Sequence, residues 1–189
     1  MNRRLGVLIS GRGSNLKAII DAIDQRTLDA SIAIVISNLA DAPGLDHAVR
    51  AGIETLVLSH KAYASREDYD RALVDALKTR GVDLVCLAGF MRLLSPFFVD
   101  AYPGRILNIH PSLLPKYPGL HPQQQALDDG ATESGATVHF VNKDLDAGPI
   151  VMQQSVPILA GDTVDTLAAR ILEVEHALYP RAIAAVLDR

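Results

Sequence analysis

The sequence predicts an open α/β sheet of Rossmann-like class, mostly parallel, with helices on both faces and an antiparallel strand pair near its C-terminal part. Three observations predict it. Short apolar runs rich in β-branched residues recur along the first 110 positions. Segments of helical period lie between them. A glycine-rich stretch, Ser10-Gly11-Arg12-Gly13-Ser14-Asn15, stands where the first run hands over to the first helical stripe. Such alternation builds parallel sheets whose strands are buried on both faces and therefore read as continuous apolar runs.

Residues 5–9, 31–36, 55–58, 82–87 and 105–109 read as the strands. Leu16, Ile19, Ile20 and Ile23 form an i, i+3, i+4, i+7 stripe between the first two. Ser65-Arg66-Glu67-Asp68 resembles a capping box. The helix it opens carries Tyr69, Ala72, Leu73, Ala76 and Leu77 on one side, and Gly81 ends it. Further on, residues 137–141 and 150–156 read as strands with no helix between them, joined by the loop 142–149. The segment from Asp162 to about Asp188 is helical, with Val164, Leu167, Ala168, Ile171 and Leu178 on one face. Pro180 is expected to kink or break it near Tyr179.

Composition narrows the function classes. The 189 residues suit one domain spanning 1–189. Hydrophobic residues at 49% and charged residues at 21% argue against a disordered chain. A single cysteine, Cys86, excludes an internal disulfide framework and fits a reducing compartment. No apolar run reaches the roughly 18 residues that span a bilayer, and no secretory leader is evident, so a cytoplasmic location is expected. A net charge of −4 argues against electrostatic capture of nucleic acid. Small-molecule substrates are the expected partners, without nucleic acid or membrane, and the reading leaves room for a homodimer.

Four motifs carry chemistry. The glycine-rich stretch follows a strand and opens a helix, where unpaired N–H groups and the helix dipole favour an anion. It serves equally as a tight turn capped by Ser14, and it matches neither the dinucleotide fingerprint nor a P-loop. Asn108-Ile109-His110-Pro111 puts Asn108 and His110 on one face of a strand, roughly 6.6 Å apart, near its carboxyl end. An amide donor beside an imidazole suits acyl chemistry: one stabilises an oxyanion, the other moves a proton. Asp144-Leu145-Asp146-Ala147-Gly148-Pro149 is an ordinary turn unless it folds over that strand end. Glu175 falls inside the apolar stripe of the last helix, where a carboxylate needs a partner, while Glu173 points to solvent. No His, Cys or Asp cluster has metal-ligand spacing, and Cys86 reads as inert core.

Asn108-Ile109-His110-Pro111-Ser112-Leu113-Leu114-Pro115 resembles the folate-dependent formyltransferases. The resemblance runs almost end to end, through Ile9 to Leu16, Leu87-Ala88-Gly89-Phe90-Met91-Arg92, Val138-His139-Phe140-Val141, Asp146-Ala147-Gly148-Pro149 and Glu175-His176-Ala177. It implies a catalytic trio of Asn108, His110 and Asp146. It implies that Gly11, Arg12, Gly13, Ser14 and Asn15 bind the phosphate of an acceptor, glycinamide ribonucleotide, and that Glu175 faces the same molecule. It implies a folate pocket lined by Met91, Arg92, Leu93, Leu94, Asn108, Asn142, Lys143, Asp144, Leu145 and Asp146, with Arg66 near the folate tail. The cosubstrate would be 10-formyltetrahydrofolate, with no metal required. Sister enzymes that formylate a charged tRNA or hydrolyse the folate usually carry a further domain, for which the chain offers no room. A non-catalytic binder on the same scaffold would not need the trio. The chain departs from the family at Pro122-Gln123-Gln124, where Thr or polar His/Arg residues are common, and it stops earlier than some relatives.

Overall fold

A computed structural model describes residues 3–189. The chain clusters into two compact units, Met1–Leu107 and Asn108–Arg189.

The first unit holds strands β1 (Arg4–Ile9), β2 (Ser31–Ser37), β3 (Thr55–Val57) and β4 (Leu84–Leu87), and the start of β5 (Ile106–His110). Its helices are α1 (Ser14–Asp24), α2 (Gly44–Arg50), α3 (Arg66–Thr79) and α4 (Pro96–Ala101). β1 pairs in parallel with β2 on one side and β4 on the other, and β2 pairs with β3, giving the order β3-β2-β1-β4. The chain thus builds outward from β1 to β3 and restarts on the far side with β4. Right-handed crossovers then put α1 and α2 on one face and α3 on the opposite one. The packing agrees, since α1 meets α2 and α3 meets α4. Leu5, Val7, Leu8, Ile9, Ile34, Val35, Ile36, Leu84, Val85 and Cys86 are all buried, as two-faced burial requires.

The α3 start is as the sequence predicts: Ser65 Oγ accepts from Asp68 N at 3.0 Å. Its end is too, with Gly81 in the left-handed region at φ 62°. The α1 start differs from expectation. Gly13, not Ser14, is the N-cap, in the left-handed region at φ 69°, with no side chain capping the helix. The reason is space: a Cβ on Gly13 would lie 2.6 Å from the Gly44 Cα. The turn is shaped by α2 passing against it, with Gly44 N donating to Gly11 O at 2.9 Å.

The second unit holds the end of β5, then α5 (Pro122–Asp128), β6 (Glu133–Phe140), β7 (Ile150–Pro157) and α6 (Val164–Leu187). β6 and β7 are the antiparallel pair the sequence predicts. β6 begins four residues before the expected 137, because Glu133, Ser134, Gly135 and Ala136 also pair with β7. The register shifts between Val138 and His139, so Val151 is an extra residue opposite them. A bulge there re-aims the neighbouring side chains. Thr137 ties the segment after β5 to β6, donating to Ser112 O at 2.7 Å and accepting from Leu114 N at 3.1 Å.

α6 corrects one expectation: it runs unbroken through Pro180. A proline there removes one helical hydrogen bond and costs about 3 kcal/mol in an isolated helix. Here Leu178, Tyr179, Pro180, Ala182 and Ile183 are all buried where α6 lies on β6 and β7, and that packing offsets the loss. No helix among the described residues is long and apolar enough to cross a membrane.

Candidate active site

Two groups of the expected residues gather, one in each unit. In the first unit the glycine-rich turn joins β1 to α1. Gly13 is buried, Arg12 is exposed, and Asn15 is buried within the first turn of α1. The helix start has neither a side-chain cap nor an acidic residue in its first turn, so its N–H groups and positive dipole end are offered to an anion. A Cβ on Gly11 would meet nothing within 4 Å, so that face of the turn is open. Residues 91–94 follow β4. Met91 and Leu93 are 72% and 57% exposed, an apolar surface left uncovered. The Arg92 guanidinium stands over the Tyr69 ring, 5.6 Å from its centroid. Arg66 is exposed in the first turn of α3, the helix that carries Tyr69.

In the second unit the expected trio is drawn together around His139, a residue of the Val138-His139-Phe140-Val141 motif to which the sequence assigns no role. Asn108 and His110 leave the end of β5. Asp146 comes from the loop between β6 and β7 and is itself in the left-handed region, at φ 49°. Its Oδ2 lies 3.5 Å from His110 Nδ1, and its Oδ1 lies 3.7 Å from His139 Nε2. One carboxylate therefore faces two imidazoles. The Gly119 N–H donates to Asp146 Oδ2 at 2.9 Å and fixes it. The two histidine and the aspartate side chains are each less than a tenth exposed.

Ring orientations follow from their partners. His110 Nε2 lies 2.9 Å from the Tyr117 carbonyl, which can only accept, so Nε2 carries a proton and Nδ1 is the atom that faces Asp146. His139 Nδ1 lies 3.0 Å from the Phe140 carbonyl and carries a proton for the same reason. Its Nε2 then presents a lone pair to Asn108 Nδ2, 3.3 Å away. Burial pushes His139 below the ordinary histidine pKa. The Phe140 carbonyl and Asp146 pull it upward, and His110 adds to the lowering. A neutral His139 accepting from Asn108 settles which end of the Asn108 amide is nitrogen. His139 was legible in one respect only: it is a histidine inside a strand of buried residues, where a polar group needs partners.

The loop over this cluster is held at its base. Phe140 N donates to Pro149 O at 2.8 Å, and a Cβ on Gly148 would fall 1.7 Å from the Phe140 oxygen. Asp144 N donates to Asn142 Oδ1 at 3.0 Å, an Asx turn at the tip. Lys143, Asp144 and Leu145 are exposed, and Asn142 is half-buried. Glu175 is buried at 6% exposure on α6 in line with Leu167, Ile171 and Leu178, and Glu173 is exposed, both as expected. Pro122 supplies the first residue of α5, and Gln125 donates to the Leu120 carbonyl at 2.8 Å, so the unusual Pro122-Gln123-Gln124 run begins a helix. Among the described residues no group of three His, Cys, Asp or Glu side chains is disposed to hold a metal ion.

An amide, an imidazole and a carboxylate drawn together at a strand end can serve acyl transfer. The formyl transferase family matches residues 3–183. The chain belongs to the formyl transferase family. This formyl transferase is 53% identical over 182 residues to the phosphoribosylglycinamide formyltransferase of Escherichia coli, covering 96% of this chain and 86% of that one. It is 54% identical over 188 residues to the trifunctional purine biosynthetic protein adenosine-3 of Drosophila melanogaster, covering 98% of this chain but 14% of that much longer one. The crystal structure of glycinamide ribonucleotide transformylase 1 from Symbiobacterium toebii superimposes with a TM-score of 0.95 at 53% identity, over 96% of this formyl transferase and 85% of that chain. The phosphoribosylglycinamide formyltransferase of Brucella melitensis gives 0.92 at 50% identity, over 97% and 95%.

Proposed function

We propose that this formyl transferase moves the formyl group of 10-formyltetrahydrofolate to the amine of glycinamide ribonucleotide, as a step of purine synthesis, and that residues 1–189 work as one catalytic domain. The observation that carries the reading is the Asp146 carboxylate facing His110 and His139 beside the Asn108 amide. The names of relatives about half identical over nearly the whole chain support it.

In this scheme the acceptor amine attacks the formyl carbon and a tetrahedral oxyanion forms. The Asn108 amide has a second N–H beyond the one directed at His139, and that donor meets the oxyanion. His110 takes part in moving the proton from the attacking amine to the departing folate nitrogen as the carbon–nitrogen bond breaks. Asp146 stabilises the imidazolium whenever it forms. Gly11, Arg12, Gly13, Ser14 and Asn15 hold the acceptor phosphate at the α1 start. In the first unit Met91, Arg92, Leu93 and Leu94 line the folate site and Arg66 meets the folate tail. The partners are small molecules, and a cytoplasmic setting suits a folate-dependent step.

The test is the absorbance of 10-formyltetrahydrofolate mixed with the enzyme, with and without glycinamide ribonucleotide. Consumption only with the amine is the expected result. Consumption in its absence would make the protein a hydrolase, and no consumption in either mixture would make it a binder.

A further inference from the structure

Three strand ends meet at one hydroxyl in the first unit. Ser10 follows β1 directly, and its Oγ donates to Asn38 Oδ1, just beyond β2, at 2.6 Å. The same Oγ accepts from Met91 N, beyond β4, at 2.9 Å. The Ser10 N–H donates to Gly89 O at 3.1 Å. A hydroxyl has one proton and two lone pairs, and here the proton and one lone pair are committed to different strands. Ser10 and Asn38 are buried, at 8% and 5% exposure, so the bond between them is shielded from water. The point lies where the strand order reverses between β1 and β4, the position at which open α/β sheets place ligands.

The far end of the 91–94 segment is gripped separately. Ser95 N donates to Asp70 Oδ2 at 2.5 Å, and Asp70 is 1% exposed. Between the two grips Arg92 rests on Tyr69. Residue 11, the first of the glycine-rich turn, is bonded covalently to Ser10. Any adjustment of the turn on closing around a ligand therefore displaces the Oγ that holds Met91, and any adjustment of Met91 pulls on the turn.

We infer that Ser10 is a positioning residue that couples the glycine-rich turn to residues 91–94, so that filling the acceptor site changes the affinity for the folate and the reverse. The inference rests on the reading given above, in which the turn holds the acceptor phosphate and residues 91–94 line the folate site. Such coupling is reciprocal, because both ligands bias the same linked element. Asp70 holds the segment without touching the turn, so it sets folate affinity and leaves the coupling alone.

The experiment uses tetrahydrofolate and glycinamide ribonucleotide, which have no formyl group between them and cannot react. Calorimetry under argon gives the Kd of tetrahydrofolate alone and with saturating glycinamide ribonucleotide. In the unaltered enzyme the two values should differ by roughly 5-fold or more, whereas in Ser10→Ala they should agree within about 2-fold. Ser10→Thr, which keeps the hydroxyl, should keep the difference. Asp70→Asn should weaken tetrahydrofolate binding equally in both conditions. A wild-type ratio of one, or an undiminished ratio in a folded Ser10→Ala, overturns the inference. If Ser10→Ala does not fold by circular dichroism, Asn38→Ala, which frees the Ser10 proton from its anchor, must lower the ratio, and an unchanged ratio overturns the inference. Failure of the wild-type enzyme to consume 10-formyltetrahydrofolate with the amine removes the functional reading, and this inference with it. Consumption with an unchanged Ser10→Ala ratio removes the inference alone.

Discussion

The Asn108 amide nitrogen lies 3.3 Å from His139 Nε2. An asparagine amide can turn end for end, and this contact fixes which end is nitrogen, the end that the proposed scheme aims at the formyl oxygen. Replacing Asn108 with Ala should lower kcat by roughly 10²–10³, the usual effect of losing one oxyanion donor. His139→Leu should lower it less, because the amide survives but loses its orientation. The double variant should be no worse than Asn108→Ala alone, since residues in one network are not additive. Steady-state rates of the three proteins decide it. An additive double variant would show that His139 acts by another route.

Asp146 and His110 are paired at ion-pair distance, 3.5 Å. Asp146→Asn and His110→Ala should each reduce turnover by roughly 10²–10⁴, with the far-ultraviolet circular dichroism unchanged. Near-normal turnover in both purified variants would refute the catalytic assignment.

His139 predicts a pH dependence of stability. Its folded pKa lies below the ordinary 6.5, chiefly through burial. Between the folded and unfolded values the unfolded chain binds a proton that the folded chain refuses. Stability therefore rises with pH across that window. The His139 contribution is complete above the unfolded value and is lost as pH falls toward the folded one. Urea midpoints measured from pH 8 down to pH 5 should fall more steeply for the wild type than for His139→Leu, which cannot titrate. Parallel curves would disprove the assignment.

The two glycines of the turn should behave differently. A methyl at Gly13 meets the Gly44 backbone at 2.6 Å and sits on a left-handed residue. Gly13→Ala should destabilise the protein by about 1–3 kcal/mol. A methyl at Gly11 meets nothing within 4 Å of its own chain, so Gly11→Ala should leave stability within about 0.5 kcal/mol. If a phosphate occupies that open face, the same substitution should raise KM for glycinamide ribonucleotide with little change in kcat. Thermal melts and acceptor titrations separate the two effects.

Much of this was legible in residue order. The alternation of strands places Asn108 and His110 on one face, and the apolar stripe of α6 marks Glu175 as an inward carboxylate. Asp146 was legible only through the family resemblance, because nothing local says that its loop turns back over β5. His139 and Ser10 were harder still. Their roles come from hydrogen bonds to residues 31, 28 and 81 positions away, and no local pattern encodes such distances. Asp70 on α3 is hidden from a sequence reading for a similar reason. It looks like a solvent residue until Ser95 arrives to occupy it. The short helices α2, α4 and α5 span six or seven residues each, too few for a period to emerge. Pro180 shows the opposite case, a strong local signal overruled by tertiary packing.

If the loop meets the folate as the family resemblance implies, Gly148 sets the terms for any redesign of donor choice. With the Phe140 oxygen occupying the space a side chain would need, position 148 admits no replacement that keeps the hairpin closed. Lys143, Asp144 and Leu145 stand free of that restriction on the outer rim. A library meant to recruit this scaffold for a different one-carbon carrier should randomise those three codons and leave the glycine untouched.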